Sequence, residues 1–99
     1  MTIQELQTYI RTQAEPFTDR TLERRLIYLT QEVGEVAREL LKLADANTAR
    51  GGRDLDQIKN DIGLEIYDVF WNLCDLANLL DIDLEHAFSK KMEINKNRW

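Results

Sequence analysis

Two short stretches carry residues able to do chemistry. Leu29-Thr-Gln-Glu32-Val-Gly-Glu35-Val36 and Ile62-Gly-Leu-Glu65-Ile-Tyr-Asp68-Val69 repeat one pattern, 33 residues apart. In each, an apolar residue is followed three later by an acid, three later by a second acid, and then by another apolar residue. On helices at about 100° per residue, Glu32 and Glu65 fall roughly 60 to 80° from the centre of their own apolar stripes. Two helices packed antiparallel through those stripes would gather Glu32, Glu35, Glu65 and Asp68 in one place. Such a cluster resists its own formation, since two carboxylates about 6 Å apart repel by roughly 3 kcal/mol at an effective dielectric near 20. No basic residue lies inside either motif, which leaves a divalent cation as the compensating charge. Oxygen-only donors select Mg2+, with Mn2+ as its substitute, over zinc or copper. The competing reading is plain: Glu-x-x-Glu on a helix is also what a solvated face looks like.

The elements that would position these acids read as all α. Pro16 is the only proline and Gly51-Gly52 the only glycine pair, so turns are few. Thr2 with Glu5 forms a capping-box pattern that opens a short helix to about Ala14, and Pro16 ends it. A second helix is expected from near Thr18 or Asp19 to about Ala46, with Leu22, Leu26, Leu29, Val33, Val36, Leu40 and Leu43 spaced alternately by four and three. After the loop Asn47–Arg53, Asp54 caps a third helix along Ile58, Ile62, Ile66, Val69, Leu73, Leu76 and Leu80. Asp83 then caps a fourth. The expected architecture is an antiparallel four-helix bundle, two long helices with short first and last ones, as a single domain over residues 1–99.

Both long helices carry a second apolar side, Ile27 and Leu41 on one, Phe70 and Trp71 on the other. A helix apolar nearly all round is a buried helix. Together with an apolar fraction of 43% in only 99 residues, this leads to an expected homo-oligomer, a dimer or a dimer of dimers (a homotetramer). The first and last helices covering those sides is the alternative. Gly34, inside a helix where glycine costs about 1 kcal/mol relative to alanine, is read as a point of close helix approach, within the chain or in a subunit contact.

Composition narrows the function. Eighteen acidic and 13 basic residues give a formal charge of −5, with no basic stripe, which disfavours a nucleic acid polymer as ligand. The lone Cys74 cannot form an internal disulfide, no apolar run approaches the roughly 20 residues of a spanning helix, and the N-terminus lacks a signal-peptide pattern. A cytoplasmic protein with no membrane contact is expected. The single His86 sits beside Glu85 in no Glu-x-x-His pattern, which excludes a di-iron bundle; it is read as a surface residue and Cys74 as a buried filler.

At these motifs the sequence resembles the all-α nucleotide pyrophosphohydrolases of the MazG type, relatives of the dimeric dUTPases and of phosphoribosyl-ATP pyrophosphohydrolase. Their signature is E-x-x-E followed at a distance by E-x-x-D. The likeness covers about residues 20 to 99, through EVGEVAREL, EIYDVFWNLCDLANLLDIDLEHAF and the ending KKMEINKNRW, and departs from the family at Tyr67, where Gly or Ala is usual. It implies Mg2+-dependent hydrolysis of a (deoxy)nucleoside triphosphate to monophosphate and pyrophosphate, a house-cleaning role in the nucleotide pool with a lean to dNTPs, and a metal set of Glu32, Glu35, Glu65 and Asp68. Glu35, or Glu32, would activate the water. Lys91, Asn95 and Arg98 share one face of the last helix and could hold the triphosphate, Lys91 and Asn95 matching the family's K-x-x-x-N ending, with a solvated basic end that complements the helix dipole as the other reading. Asn72, four after Asp68, stands where relatives often place a nucleotide-contacting side chain, or else caps a buried hydrogen-bond network. Arg50 and Arg53 could close over a phosphate. The alternatives are phosphoribosyl-ATP as substrate on the same fold, or a helical interaction module without activity.

Overall fold

The computed structural model describes residues 1–48 and 54–98; Arg50, Arg53 and Trp99 lie outside the described residues. Four helices make up the described chain, with no strand among those residues: α1 (Ile3–Ala14), α2 (Leu22–Thr48), α3 (Leu55–Leu79) and α4 (Leu84–Arg98). This is the all-α class expected. The helix starts follow from their caps. Thr2 Oγ1 accepts from the Glu5 backbone N–H at 3.0 Å while Glu5 Oε1 accepts from that of Thr2 at 2.9 Å, a closed capping box. Asp54 Oδ1 accepts from the backbone N–H groups of Asp56 and Gln57, and Asp83 Oδ1 from that of His86. The second helix starts later than Thr18 or Asp19: Thr21 caps it, its Oγ1 accepting from the Arg24 N–H at 3.1 Å.

The chain divides into two compact units, one of Met1–Arg25 with Leu73–Trp99, the other of Leu26–Asn72. In the first, α1 packs on α4, and Ile10, Ala14, Cys74 and Ala77 are buried. Buried polar groups knit this unit together. Gln7 Nε2 donates to Asn78 Oδ1 (3.2 Å) and to the Ile82 carbonyl (2.8 Å), Gln7 Oε1 accepts from the Leu84 N–H (2.9 Å), and Asn78 Nδ2 donates to the Gln7 carbonyl (3.0 Å). Asp75, fully buried, holds two arginines: Arg20 Nη2 lies 2.6 Å from Oδ1 and Arg25 Nη2 2.7 Å from Oδ2.

Helix α3 ends in a paired turn, the Asp81 N–H donating to the Asn78 carbonyl and the Ile82 N–H to that of Ala77. Asp81 occupies its left-handed position, φ 54°, where glycine has no Cβ penalty. Asp81→Gly is therefore expected to stabilise the fold by about 0.5–1 kcal/mol, read as a higher urea midpoint. A lower midpoint would assign the Asp81 side chain a stabilising contact that outweighs the backbone gain.

In the second unit the helical faces differ from the expectation. The shielded side of α2 carries Tyr28, Leu29, Glu32, Glu35, Val36 and Glu39, and that of α3 carries Ile58, Asp61, Ile62, Glu65, Asp68, Val69 and Asn72. Leu26, Val33, Leu40 and Ile66, expected in the packed seams, are exposed. Both helices are thus turned toward their acids by roughly 60–80°, and the carboxylates lie within the packed faces, not beside them. The physical reason is that a four-and-three apolar pattern is wide enough to serve two sides: Leu29, Val36 and Leu43 are shielded while the residues between them face outward. Ile27, Leu41 and Phe70 are exposed too, while Trp71 is half-buried. A Cβ placed on Gly34 or Gly63 would meet nothing within 4 Å; among the described residues of this chain, none makes the close approach expected at Gly34.

Candidate metal centre

Glu32 reaches the centre from α2, and Glu65 and Asp68 reach it from α3. One carboxylate oxygen from each lies within 4.8 Å of the other two, and all three residues are half-buried. Helical spacing explains the pairing on α3, since positions three apart project side by side. Glu35 stands outside this trio as placed. Its Oε2 lies 2.9 Å from Arg38 Nη1, one turn further along α2, an ion pair that the absence of basic residues inside the motif does not reveal.

The electrostatics show what the trio lacks. The Glu32 carboxyl is held above the usual glutamate range, first by desolvation, then by the charges of Asp68, Glu65 and Glu35, and by a hydrogen bond shared with Glu65. Glu65 is raised as well, by desolvation and by Asp68, Glu35 and Glu39, with Arg38 pulling the other way. A glutamate raised in the folded state binds its proton more tightly than the unfolded chain does. It therefore contributes stability below about pH 4.3, the unfolded value, and loses it as pH rises through the folded value. A cation bound by the ionised trio removes that loss. The expected result is a Mg2+-induced rise in Tm that is smaller at pH 4.5 than at pH 8, where it corresponds to a stabilisation on the order of 1–3 kcal/mol at 10–100 times the Kd. Equal gains at both pH values would show that the cation binds somewhere other than these carboxylates.

A fifth carboxylate went unnoticed in the sequence. Glu39 is buried beside this cluster; its Oε1 lies 2.8 Å from Lys42 Nζ, and its buried Oε2 has no hydrogen-bond partner. The signal was available, because Glu39 follows Glu32 by seven and Glu35 by four and so continues their face. Asn72 is buried, and its Nδ2 donates to the Asp68 carbonyl at 2.8 Å, so it braces the last turn that presents Asp68. Lys91, Asn95 and Arg98 lie on α4 in the other unit, Lys91 and Arg98 exposed and Asn95 half-buried. Sequence reading also missed Asp75 with Arg20 and Arg25, and the Gln7–Asn78 pair, since both join residues 50 or more positions apart.

The donor set fits a hard divalent cation. Ligands on one ion with bonds near 2.1 Å lie at most about 4.2 Å apart, close to the 4.8 Å within which oxygens of Glu32, Glu65 and Asp68 lie. Among the described residues this is the group of acids that meets such a spacing, and no helix there is long and apolar enough to cross a membrane.

No solved structure matches the chain. A relative from Bacillus subtilis (strain 168), the uncharacterized protein YpjD, is 36% identical over 75 residues, which is 72% of this chain and 64% of that protein. The chain thus spans less than two thirds of that relative's length. The profile of the MazG nucleotide pyrophosphohydrolase domain matches residues 20–99, a stretch that contains all four motif acids. By the extent of that match, the chain belongs to the MazG nucleotide pyrophosphohydrolase family.

Proposed function

We propose that this chain hydrolyses (deoxy)nucleoside triphosphates between the α- and β-phosphates, giving a monophosphate and pyrophosphate, with Mg2+ as cofactor and Mn2+ able to replace it. The observation that carries the reading is the convergence of Glu32, Glu65 and Asp68 oxygens within 4.8 Å on a chain of this family. When bound, Mg2+ would offset charge on the phosphate oxygens and lower the pKa of a water molecule. The residues do the rest. Glu32, Glu65 and Asp68 hold the cation, and Glu39 adds charge behind them. Glu35, released from or oriented by Arg38, takes the proton of the attacking water as the new P–O bond forms and the bridging oxygen leaves with pyrophosphate. Glu32 is the alternative acceptor.

Lys91, Asn95 and Arg98 are proposed to hold the phosphate chain, as point charges, donors and a planar fork suited to its oxygens. Asn72 acts near the nucleotide through the backbone it braces. The same reading takes the enzyme to be a homo-oligomer, a dimer or a dimer of dimers, working in the cytoplasm on the nucleotide pool, with dNTPs as its preferred class.

The test is a screen of natural nucleotides with Mg2+, following monophosphate and pyrophosphate separately. Equimolar release of the two from a triphosphate is expected. Orthophosphate as the sole inorganic product would contradict the choice of bond. Turnover of phosphoribosyl-ATP alone would move the substrate, and no turnover with no Mg2+ effect on Tm would leave a helical interaction module.

A further inference from the structure

Among the described residues, two basic side chains pair with acids of the carboxylate cluster, and they are held differently. Lys42 Nζ lies 2.8 Å from Glu39 Oε1, and that carboxylate is buried with its other oxygen unpartnered. Drawing Lys42 away would strand a charge inside the protein, which is strongly unfavourable. Arg38 Nη1 lies 2.9 Å from Glu35 Oε2, but the Arg38 side chain is 63% exposed and that of Glu35 31%. An ion pair three positions apart on a helix and open to water is weak. Arg38 is therefore the cation that can change partners, and Lys42 the one that stays.

Arg38 also stands at the outer edge of the metal centre. Around α2 it lies about 60° from Glu35 and one turn further along. Its charge offsets part of the repulsion that Glu65 meets on α3, so the guanidinium is close to acids of both helices. Glu32, Glu65 and Asp68 are half-buried, whereas Arg38 is open to solvent, on the side from which a ligand arrives.

Charge balance gives that position its use. A phosphate chain brought to this centre meets Glu32, Glu35, Glu39, Glu65 and Asp68, and one divalent cation with Lys42 leaves their sum negative. An anion is repelled there unless a further positive group faces it. The guanidinium fork presents parallel N–H donors that match phosphate oxygens, and a phosphate offers it more charge and more acceptors than the Glu35 carboxylate does.

We infer that Arg38 is a phosphate-binding residue, which exchanges Glu35 for the pyrophosphate portion of a triphosphate carried on the cation of Glu32, Glu65 and Asp68. This rests on the hydrolysis reading above and deepens it, adding to Lys91, Asn95 and Arg98 a phosphate contact on the helix that carries the first acidic motif. The exchange also leaves Glu35 without its ion pair once the phosphates are in place, as a proton acceptor for water requires.

Calorimetric titration of the full chain tests the inference, first with Mg2+ alone and then with inorganic pyrophosphate at saturating Mg2+. Arg38→Gln is expected to weaken pyrophosphate binding by about 10–100-fold, the scale of a lost charge-assisted contact. Mg2+ alone should bind that variant at least as tightly as it binds the parent, because a positive charge beside the carboxylates has gone. Arg38→Lys, which keeps the charge without the fork, should recover part of the loss. Helical circular dichroism should be the same in all three, since the side chain is exposed. Unchanged pyrophosphate affinity in Arg38→Gln would overturn the inference. So would a parallel loss of Mg2+ affinity, which would make Arg38 a support of the metal ligands, or a parent that takes up Mg2+ but no pyrophosphate. The hydrolysis reading is judged separately: equal kcat/KM for triphosphate in the parent and in Arg38→Gln would leave it standing while this inference fails.

Discussion

Glu65→Gln and Asp68→Asn are each expected to lower kcat/KM for triphosphate hydrolysis by about 10²–10³-fold, equivalent to roughly 3–4 kcal/mol of transition-state stabilisation. Both changes keep the shape of the side chain and remove one ionised donor from the group whose oxygens lie within 4.8 Å. The loss should come with weaker Mg2+ binding, so raising Mg2+ should recover part of it. Fold stability should move the other way. Removing a charge from a cluster in which Asp68 already raises Glu32 and Glu65 relieves repulsion, and the metal-free variants should melt no lower than the parent. This split separates the proposed role from damage to the fold. A variant that melted earlier and lost activity in proportion would mark these acids as structural. Glu35→Gln is the informative companion: lost turnover with Mg2+ affinity retained would assign it to the water, whereas loss of both would place it among the ligands.

Asp75→Ala is expected to cost about 3–5 kcal/mol, because it removes the buried carboxylate that pairs with the buried Arg25 guanidinium. Against a total of 5–15 kcal/mol for a typical domain, this removes a large share of the stability, a fall in Tm of roughly 15–30 °C at this chain length. Arg20, more open to solvent, should matter less, and Arg20→Met should cost about 1 kcal/mol or less. Urea denaturation of the three proteins checks the order. A cost below about 1 kcal/mol for Asp75→Ala would mean that water reaches Arg25 once the carboxylate is gone.

Local signals in the sequence carry through to the structure, and facing relationships do not. The capping box of Thr2 and Glu5 and the caps at Asp54 and Asp83 each depend on residues three apart, and each forms as expected. The start of α2 falls later than the sequence predicts because Thr18, Asp19 and Thr21 are all capping residues, and only the chain's path after Pro16 decides among them. The rotation of α2 and α3 toward their acids was hidden for a different reason. Leu22 to Leu43 spaced by four and three describes one seam if the helix has one partner, but two half-seams if it must bury two sides. Nothing in the spacing distinguishes these. Of the candidate site, the participation of Glu32, Glu65 and Asp68 in one group was legible from matched phase; the Arg38 partner of Glu35 and the burial of Glu39 depend on side-chain placement that phase alone does not specify. The clamp of Arg20 and Arg25 on Asp75 joins residues 50 or more positions apart and has no local signature.

The Gln7 side chain bears on where this domain begins. Its Oε1 accepts from the Leu84 N–H, and its amide reaches Asn78 and the Ile82 carbonyl, so α1 finishes the start of α4 from outside the matched residues 20–99. A fragment trimmed to the recognised family boundary would keep every motif acid yet strand those polar groups. Its last helix, with Lys91, Asn95 and Arg98, would fray first, and hydrogen exchange would register the loss there before any other helix loosened.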